Sequence, residues 1–268
     1  MVREDESWGV ADLCPKLERG DSDYVVEIKN HGPLYRRAIE LANEDLVARR
    51  NNVSLLADKP VRNNFLVTDY RVTDLFEKNL SGQTVKIKGD RDVIGLSRIL
   101  NALEFEVKLR LDFNSGLTGE EFEKFLSLIS ESTRGKIEYI EDPTPICAQW
   151  KHWNTIIPLA FDFQPGEYSS EFAAVQILKP SRQVLPASLG RVTFTSAMDH
   201  PVGVAHGLRI AQKFATADSG FLTLDLYETP FEKYFVQQEN DLNFSEVARA
   251  DSGIGMSAEL EKLTWTRL

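Results

Sequence analysis

The sequence predicts an α/β fold, a TIM-like (β/α)7β barrel with a small α+β capping domain, on three observations. From residue 65 onward, short apolar runs rich in β-formers alternate with amphipathic segments, the pattern of repeated strand–helix units around a parallel sheet. Eight runs can be counted, at 65–68, 84–88, 106–112, 137–141, 157–163, 175–179, 191–195 and 221–226, and eight strands suggest closure into a barrel. Before residue 62 the pattern changes to an irregular acidic start and a long helix. An open doubly wound sheet is the competing architecture, because the connections after the fifth run are shorter and less regular.

In chain order, 24–28 (Tyr-Val-Val-Glu-Ile) reads as a strand, and 33–50 as a helix with Leu34, Ala38, Leu41, Ala42 and Leu46 on one side. Residues 1–62 are thus expected to form the cap, and 63–226 the barrel. Within the barrel, 92–103 and 119–130 carry apolar residues at three- and four-residue spacing. Thr118, with Glu121 three residues on, predicts a capping box at the start of the second helix. The last segment, 227–268, with Gly253-Ile254-Gly255, is expected to return and pack on the cap.

Composition narrows the function classes. A net charge of −10 and a pI near 5 exclude a duplex nucleic-acid binder, which needs a basic face. The same charge repels anions from the surface at large, so an anionic substrate requires a local group of cations or a metal. Cys14 and Cys147 make no disulfide framework or thiolate metal site, which predicts a reducing cytoplasm. No apolar signal core or membrane span is present, so no membrane partner is expected, and nothing in the sequence bears on oligomeric state.

The residues that carry chemistry end the apolar runs. Lys86 and Lys88 are two apart in a strand and share one face. Inside a barrel two such ammoniums repel, which predicts a lowered pKa for at least one; on a sheet edge the same spacing serves solvation. Asp112, Glu141 and Asp162 close the third, fourth and fifth runs, so their carboxylates are expected to converge and to need a cation, for which all-oxygen ligation suits magnesium. Singly, each acid also fits a turn or a helix cap. Lys179 ends the sixth run before Pro180 and is expected to face Lys88, or else to snorkel out. Thr195, Ser196 and Asp199 leave the seventh run ahead of a helix start that suits a carboxylate, although Asp199 also fits the N-cap of that helix. His206 reads as a packing residue, and His31, His152 and His200 show no ligand spacing.

Taken in order, Lys86-Ile87-Lys88, Asp112, Glu141, Asp162 and Lys179 resemble the enolase superfamily, in its muconate-lactonizing subgroup. Asn114, Glu141-Asp142-Pro143 and the 196–203 segment fit the same pattern, and the stretch from Ser7 to Pro15 is similar to a segment of the family's cap. The chain starts almost at that segment, where relatives carry further cap strands and a mobile loop, so either a shortened cap or a chain without its first part is expected. The resemblance implies an enzyme that abstracts a proton next to a carboxylate and stabilises the enediolate on Mg²⁺, with Mn²⁺ as a substitute. Asp112, Glu141 and Asp162 would bind the metal, Lys88 would be the base, Lys86 would tune it, and Lys179 would be the stabilising cation on the opposite face. Asn114, Arg110, Thr195, Ser196 and Asp199 would surround a small anionic carboxylate substrate.

Within the subgroup the chain looks most like the hydro-lyases that dehydrate a succinyl-hydroxycyclohexadiene carboxylate to an aromatic acid for menaquinone. An N-acylamino acid racemase or dipeptide epimerase would use Lys88 and Lys179 on opposite faces, but Asp225 and Glu228 are not the acidic pair expected of an epimerase. A Schiff-base aldolase would use Lys179 without metal. A non-catalytic metal-binding scaffold is the remaining alternative.

Overall fold

The computed structural model describes residues 1–72, 80–162 and 171–265. Its elements begin with β1 (Val2–Glu4), β2 (Ser7–Gly9), α1 (Tyr24–Lys29), α2 (Pro33–Arg50) and β3 (Val61–Arg62). Next come β4 (Phe65–Val67), β5 (Thr84–Lys88), α3 (Val93–Asn101), β6 (Lys108–Asp112), α4 (Gly119–Leu128), α5 (Glu131–Lys136), β7 (Ile137–Glu141), α6 (Gln149–Ile156), β8 (Leu159–Phe161), β9 (Val175–Leu178), β10 (Val192–Phe194) and α7 (Pro201–Phe214). The chain ends with β11 (Phe235–Gln238), β12 (Asp241–Phe244), α8 (Glu246–Ala250) and α9 (Ser257–Leu260). Two compact units result: Asn64–Ile177 with Gly190–Val192, and Met1–Asn63 with Leu178–Leu189 and Thr193–Leu268.

Strands β4 to β10 lie side by side in sequence order, and the pairs from β4 to β9 are parallel. This is the wall of the expected TIM-like barrel, since a helix after a strand returns the chain for another parallel strand. Alternation then sorts the side chains. Val85, Ile87, Leu109, Leu111, Ile140 and Leu159 face the helices and pack with Leu96, Leu100, Phe122, Phe125, Trp150 and Trp153 in a fully buried layer. The intervening positions, Lys86, Lys88, Arg110, Asp112, Tyr139, Glu141 and Ala160, take the opposite face. There Tyr139 and Ala160 pack with Val175 and Ile177. The capping box of α4 forms as predicted, with Thr118 and Glu121 each accepting from the other's backbone N–H.

In the other unit, β2 lies so close on α2 that a Cβ at Gly9 would stand 2.0 Å from the Ala42 carbonyl oxygen. Asp45, fully buried on α2, accepts from the backbone of Val10 and Ile254, which ties the N-terminal and C-terminal segments to one helix. The β11–β12 hairpin pairs with β3 in a three-stranded antiparallel sheet.

Two expected strands are corrected. Residues 24–28 are helical: the Asp23 side chain accepts from the N–H groups of Val25 and Val26, and Glu27 caps the next helix by accepting from Leu34 and Tyr35. Local capping prevails over the β-branched pair because Val25 and Val26 are exposed and have no sheet to pack against. Residues 221–226 do not form the eighth strand. Ser219 and Gly220, just before them, bridge Asn63 and Thr195, and the chain then turns through a 3-10 segment at Leu224–Leu226. The fifth run is shorter than expected, and its last residue, Phe163, lies outside the described residues. No helix among the described residues is long and apolar enough to cross a membrane.

Candidate active site

Strand register brings the expected groups into one row. Lys88 on β5 is the register partner of Asp112 on β6, and Asp112 that of Glu141 on β7. Lys86 lies one step below Lys88 on the same face and reaches upward between the two acids. Its Nζ stands 2.8 Å from Asp112 Oδ2 and 2.7 Å from Glu141 Oε2. Lys88 also donates to Asp112 Oδ2, and its Nζ stands 3.5 Å from Asn114 Oδ1. The acid side chains are only 2% exposed and that of Lys86 12%, while Lys88, at 32%, stands at the wetter edge of the group. Charges are kept there only when paired.

The turn after β6 fixes the row from above. Asn114 and Ser115 adopt positive φ (48° and 59°), a region that asparagine tolerates better than most residues. The Asn114 N–H donates to Asp112 Oδ1 at 3.1 Å, and Ser115 N–H to the Asp142 carbonyl.

Electrostatics correct one expectation. Burial pulls the Lys86 ammonium down, but Glu141 and then Asp112 outweigh it, so its pKa stands well above the ordinary lysine value. Burial likewise pushes the Asp112 carboxyl up, and Lys86 and Lys88 overcome that and hold it well below the usual carboxylate range. The predicted lowering from lysine–lysine repulsion thus does not hold for Lys86, because each ammonium has a carboxylate partner.

Asp162 is placed differently from the other two acids. The register partner of Glu141 on β8 is Ala160, so Asp162 comes two residues later, just past the end of β8. Its backbone N–H donates to Asp142 Oδ1. It is the last of the acids that act on Lys86, after Glu141 and Asp112. Among the described residues, no three His, Cys, Asp or Glu side chains stand close enough together to hold an ion. The expected three-carboxylate cluster is therefore a gathered pair, with its third member offset by strand register.

Arg110 sits beneath the row and is fully buried, its Nε 2.7 Å from Glu138 Oε2 and its guanidinium over the Tyr139 ring. Its guanidinium is thus turned to Glu138 and the ring. Glu138 and Tyr139 carried no signal in the sequence beyond their adjacency on a strand.

The remaining expected residues belong to the other unit. Lys179 is buried directly after β9, and its carbonyl accepts from Arg182 and Gln183 in a turn. Thr195 is buried, with no hydrogen-bond partner for Oγ1 among the described residues. Ser196 Oγ stands 2.8 Å from Thr223 Oγ1 and accepts from Met198 N–H. Asp199 Oδ2 accepts from Ser181 Oγ and Ala197 N–H. It is not the N-cap of α7: that position is His200, whose Nδ1 accepts from Val202 N–H. His206 is buried, with Nε2 2.8 Å from the Val10 carbonyl, as a packing residue would be.

No family model matches the chain. The chain is 27% identical over 296 residues to the o-succinylbenzoate synthase of Bdellovibrio bacteriovorus, an alignment covering 98% of this chain and 88% of that protein. It is similar in structure to the muconate lactonizing enzyme from Mucobacterium Smegmatis complexed with muconolactone (TM-score 0.69, 14% identity, 95% of this chain and 86% of that one). It is also similar to a member of the enolase superfamily from Roseovarius nubinhibens ISM (TM-score 0.64, 16% identity, 86% and 71%). At these identities the structural likeness bears on the fold alone, and that fold agrees with the barrel read from the alternating strands and helices. The resemblance to the enolase superfamily agrees with the sequence match, and the barrel fold with the structural ones.

Proposed function

We propose that this chain, which resembles the enolase superfamily and within it o-succinylbenzoate synthase, is a carbon–oxygen lyase. Its substrate is 2-succinyl-6-hydroxy-2,4-cyclohexadiene-1-carboxylate, a small anionic carboxylate, and its product the 2-succinylbenzoate of menaquinone synthesis. The observation that carries this reading is the row Lys88, Asp112 and Glu141 in direct register, with Lys86 drawn between the two acids.

Asp112 and Glu141 fit a hard divalent cation such as Mg²⁺ in charge and donor type, since both present buried carboxylate oxygens to one positive centre. Asp162 is the third ligand in this reading and has the same donor chemistry. A bound Mg²⁺ supplies positive charge that offsets the negative charge growing on the substrate carboxylate.

The remaining steps fall to the chain's own groups. Lys88 Nζ takes the proton from the carbon that bears the carboxylate, and the C–H electron pair becomes part of the ring π system. The neighbouring C–OH bond then breaks, and the ammonium of Lys88 returns the proton to the departing hydroxide, so that water leaves and the ring becomes aromatic. In the state described, Lys88 donates to Asp112. Lys86 lies between the two acids, Lys179 serves as the second cation, and Asn114, Thr195 and Ser196 contact substrate.

The test is a direct assay for 2-succinylbenzoate, run with Mg²⁺, with EDTA, and on Lys88→Ala. The reading expects product only from the wild type with Mg²⁺. Product from Lys88→Ala, or undiminished product in EDTA, overturns it.

A further inference from the structure

The stripe that α2 buries carries two charged residues, Arg37 and Asp45, four positions either side of Leu41 and so on one face. Asp45 fastens the segments at Val10 and Ile254. Arg37 has no part in the reaction proposed above. It is only 7% exposed, and a guanidinium in so dry a place is kept where its donors are engaged. Its Nε donates to the Pro180 carbonyl at 2.9 Å, and Nη1 pairs with the half-exposed Glu40.

Pro180 follows Lys179, and the turn they open is pinned residue by residue. The Leu178 carbonyl accepts from Thr195 N–H at 2.9 Å, and the Lys179 carbonyl from the N–H groups of Arg182 and Gln183 at 2.8 and 3.1 Å. Beyond Pro180, Ser181 Oγ donates to Asp199, and Arg182 reaches the Cys14 carbonyl and Asp21. Three consecutive residues are thus tied to three separate parts of the chain: α2, the loop ahead of α7, and the N-terminal segment. The tie from Arg37 falls on the residue next to Lys179.

That place in the turn gives the bond its leverage. Proline holds φ near about −65°, so the freedom left at Pro180 is the rotation that swings its carbonyl, and this carbonyl is what Arg37 grips. The Lys179 side chain is buried, so the position of its backbone governs where its ammonium can stand.

We propose that Arg37 is a positioning residue for Lys179: its guanidinium, acting through the Pro180 carbonyl, fixes the turn from which the Lys179 side chain starts. The hold on the turn stands on the bonds above, and its consequence for catalysis rests on the reading of Lys179 as the second cation. What the account requires at position 37 is an N–H at the place of Nε. Glutamine carries an amide N–H at that place along its side chain, and methionine of similar length carries a methyl group there.

The test compares the wild type, Arg37→Met and Arg37→Gln by amide exchange and by the kinetics of 2-succinylbenzoate formation in Mg²⁺. In Arg37→Met, protection of the Arg182 and Gln183 amides should fall at least about tenfold while that of the α2 amides stays. In the same variant kcat should fall at least about tenfold, with KM changed less than about threefold, and Arg37→Gln should bring both back to within about threefold of the wild type. A residue serving stability alone would lower Tm and leave kcat per folded molecule unchanged. Unchanged protection in Arg37→Met, lost protection with an unchanged kcat, or an Arg37→Gln as impaired as Arg37→Met overturns the proposal.

If the wild type makes no product, the proposed reaction fails, and the carbon-13 signal of Lys179 Cε, assigned by its absence in Lys179→Met, decides. It must move in Arg37→Met and return in Arg37→Gln; a signal that stays in place overturns the proposal. If Arg37→Met does not fold, exchange of the wild type in sub-denaturing urea decides: the Arg37 Nε–H and the amides of Arg182 and Gln183 must open together, and separate openings overturn it.

Discussion

Replacing Lys86 by methionine keeps most of the side-chain volume and removes the charge that joins Asp112 to Glu141. In the wild type, that ammonium lies within 2.8 Å of an oxygen of each acid, and both acid side chains are 2% exposed. Removing one partner of a buried ionic group costs about 3–5 kcal/mol, because the remaining charges lose their counter-ion without regaining water. Lys88 still reaches Asp112, so Glu141 is the group left exposed to repulsion and the lower end of that range applies. At about 2–4 °C per kcal/mol for a chain of this size, Tm in EDTA should drop by roughly 6–12 °C.

Magnesium then separates charge loss from packing loss. The ion and the Lys86 ammonium compete for the same two oxygens, so removing the ammonium should strengthen the stabilisation by Mg²⁺. A ligand present at 100 times its Kd stabilises by about 2.7 kcal/mol. Differential scanning calorimetry in EDTA and in Mg²⁺ reads both effects. Equal Tm values for the two proteins in EDTA would refute the role given to Lys86, and an equal gain from Mg²⁺ in both would refute the competition.

Three further outcomes follow from other parts of the structure. Arg110→Met should cost about 2–3 kcal/mol in denaturant unfolding, less than a fully orphaned pair, because Arg191 still stands 3.6 Å from Glu138; no loss of stability would show that the buried guanidinium is not structural. Thr118→Ala removes the capping box of α4 and should cost about 1 kcal/mol, measured in the same way. His206 is buried neutral, with its pKa lowered by burial to about 3. Below about 6.5 the unfolded chain gains a proton that the folded chain refuses, so stability should fall from there towards pH 3, and His206→Gln should flatten that fall in Tm-against-pH curves.

Much of the row could be read from residue types because a parallel strand obeys simple arithmetic. Lys86 and Lys88 share a face by period two, and Asp112 and Glu141 each end an apolar run, so equal strand ends bring them level. Asp162 follows the same local pattern yet lies two residues past the partner of Glu141, because β8 is set back against β7. Register between neighbours is a tertiary property, and an apolar run does not reveal where its neighbour begins.

Lys86 does not carry the lowering expected of at least one lysine, for a related reason. Two lysines in a strand show their mutual repulsion in sequence, whereas their counter-ions come from strands some 25 and 55 residues away. At 24–28 the β-branched pair pointed to a strand, but Asp23 and the absence of a burying surface decided for a helix.

The central claim is that Asp112 and Glu141 together form the seat of a divalent ion beside Lys88. Its most direct test is Mn²⁺ binding followed by electron paramagnetic resonance in the wild type, Asp112→Asn and Glu141→Gln, with folding checked by circular dichroism. The account predicts one Mn²⁺ bound per wild-type chain, displaced by Mg²⁺, and binding weakened at least tenfold in each folded variant. A wild type that leaves Mn²⁺ free, or variants that bind it as tightly as the wild type, would contradict it.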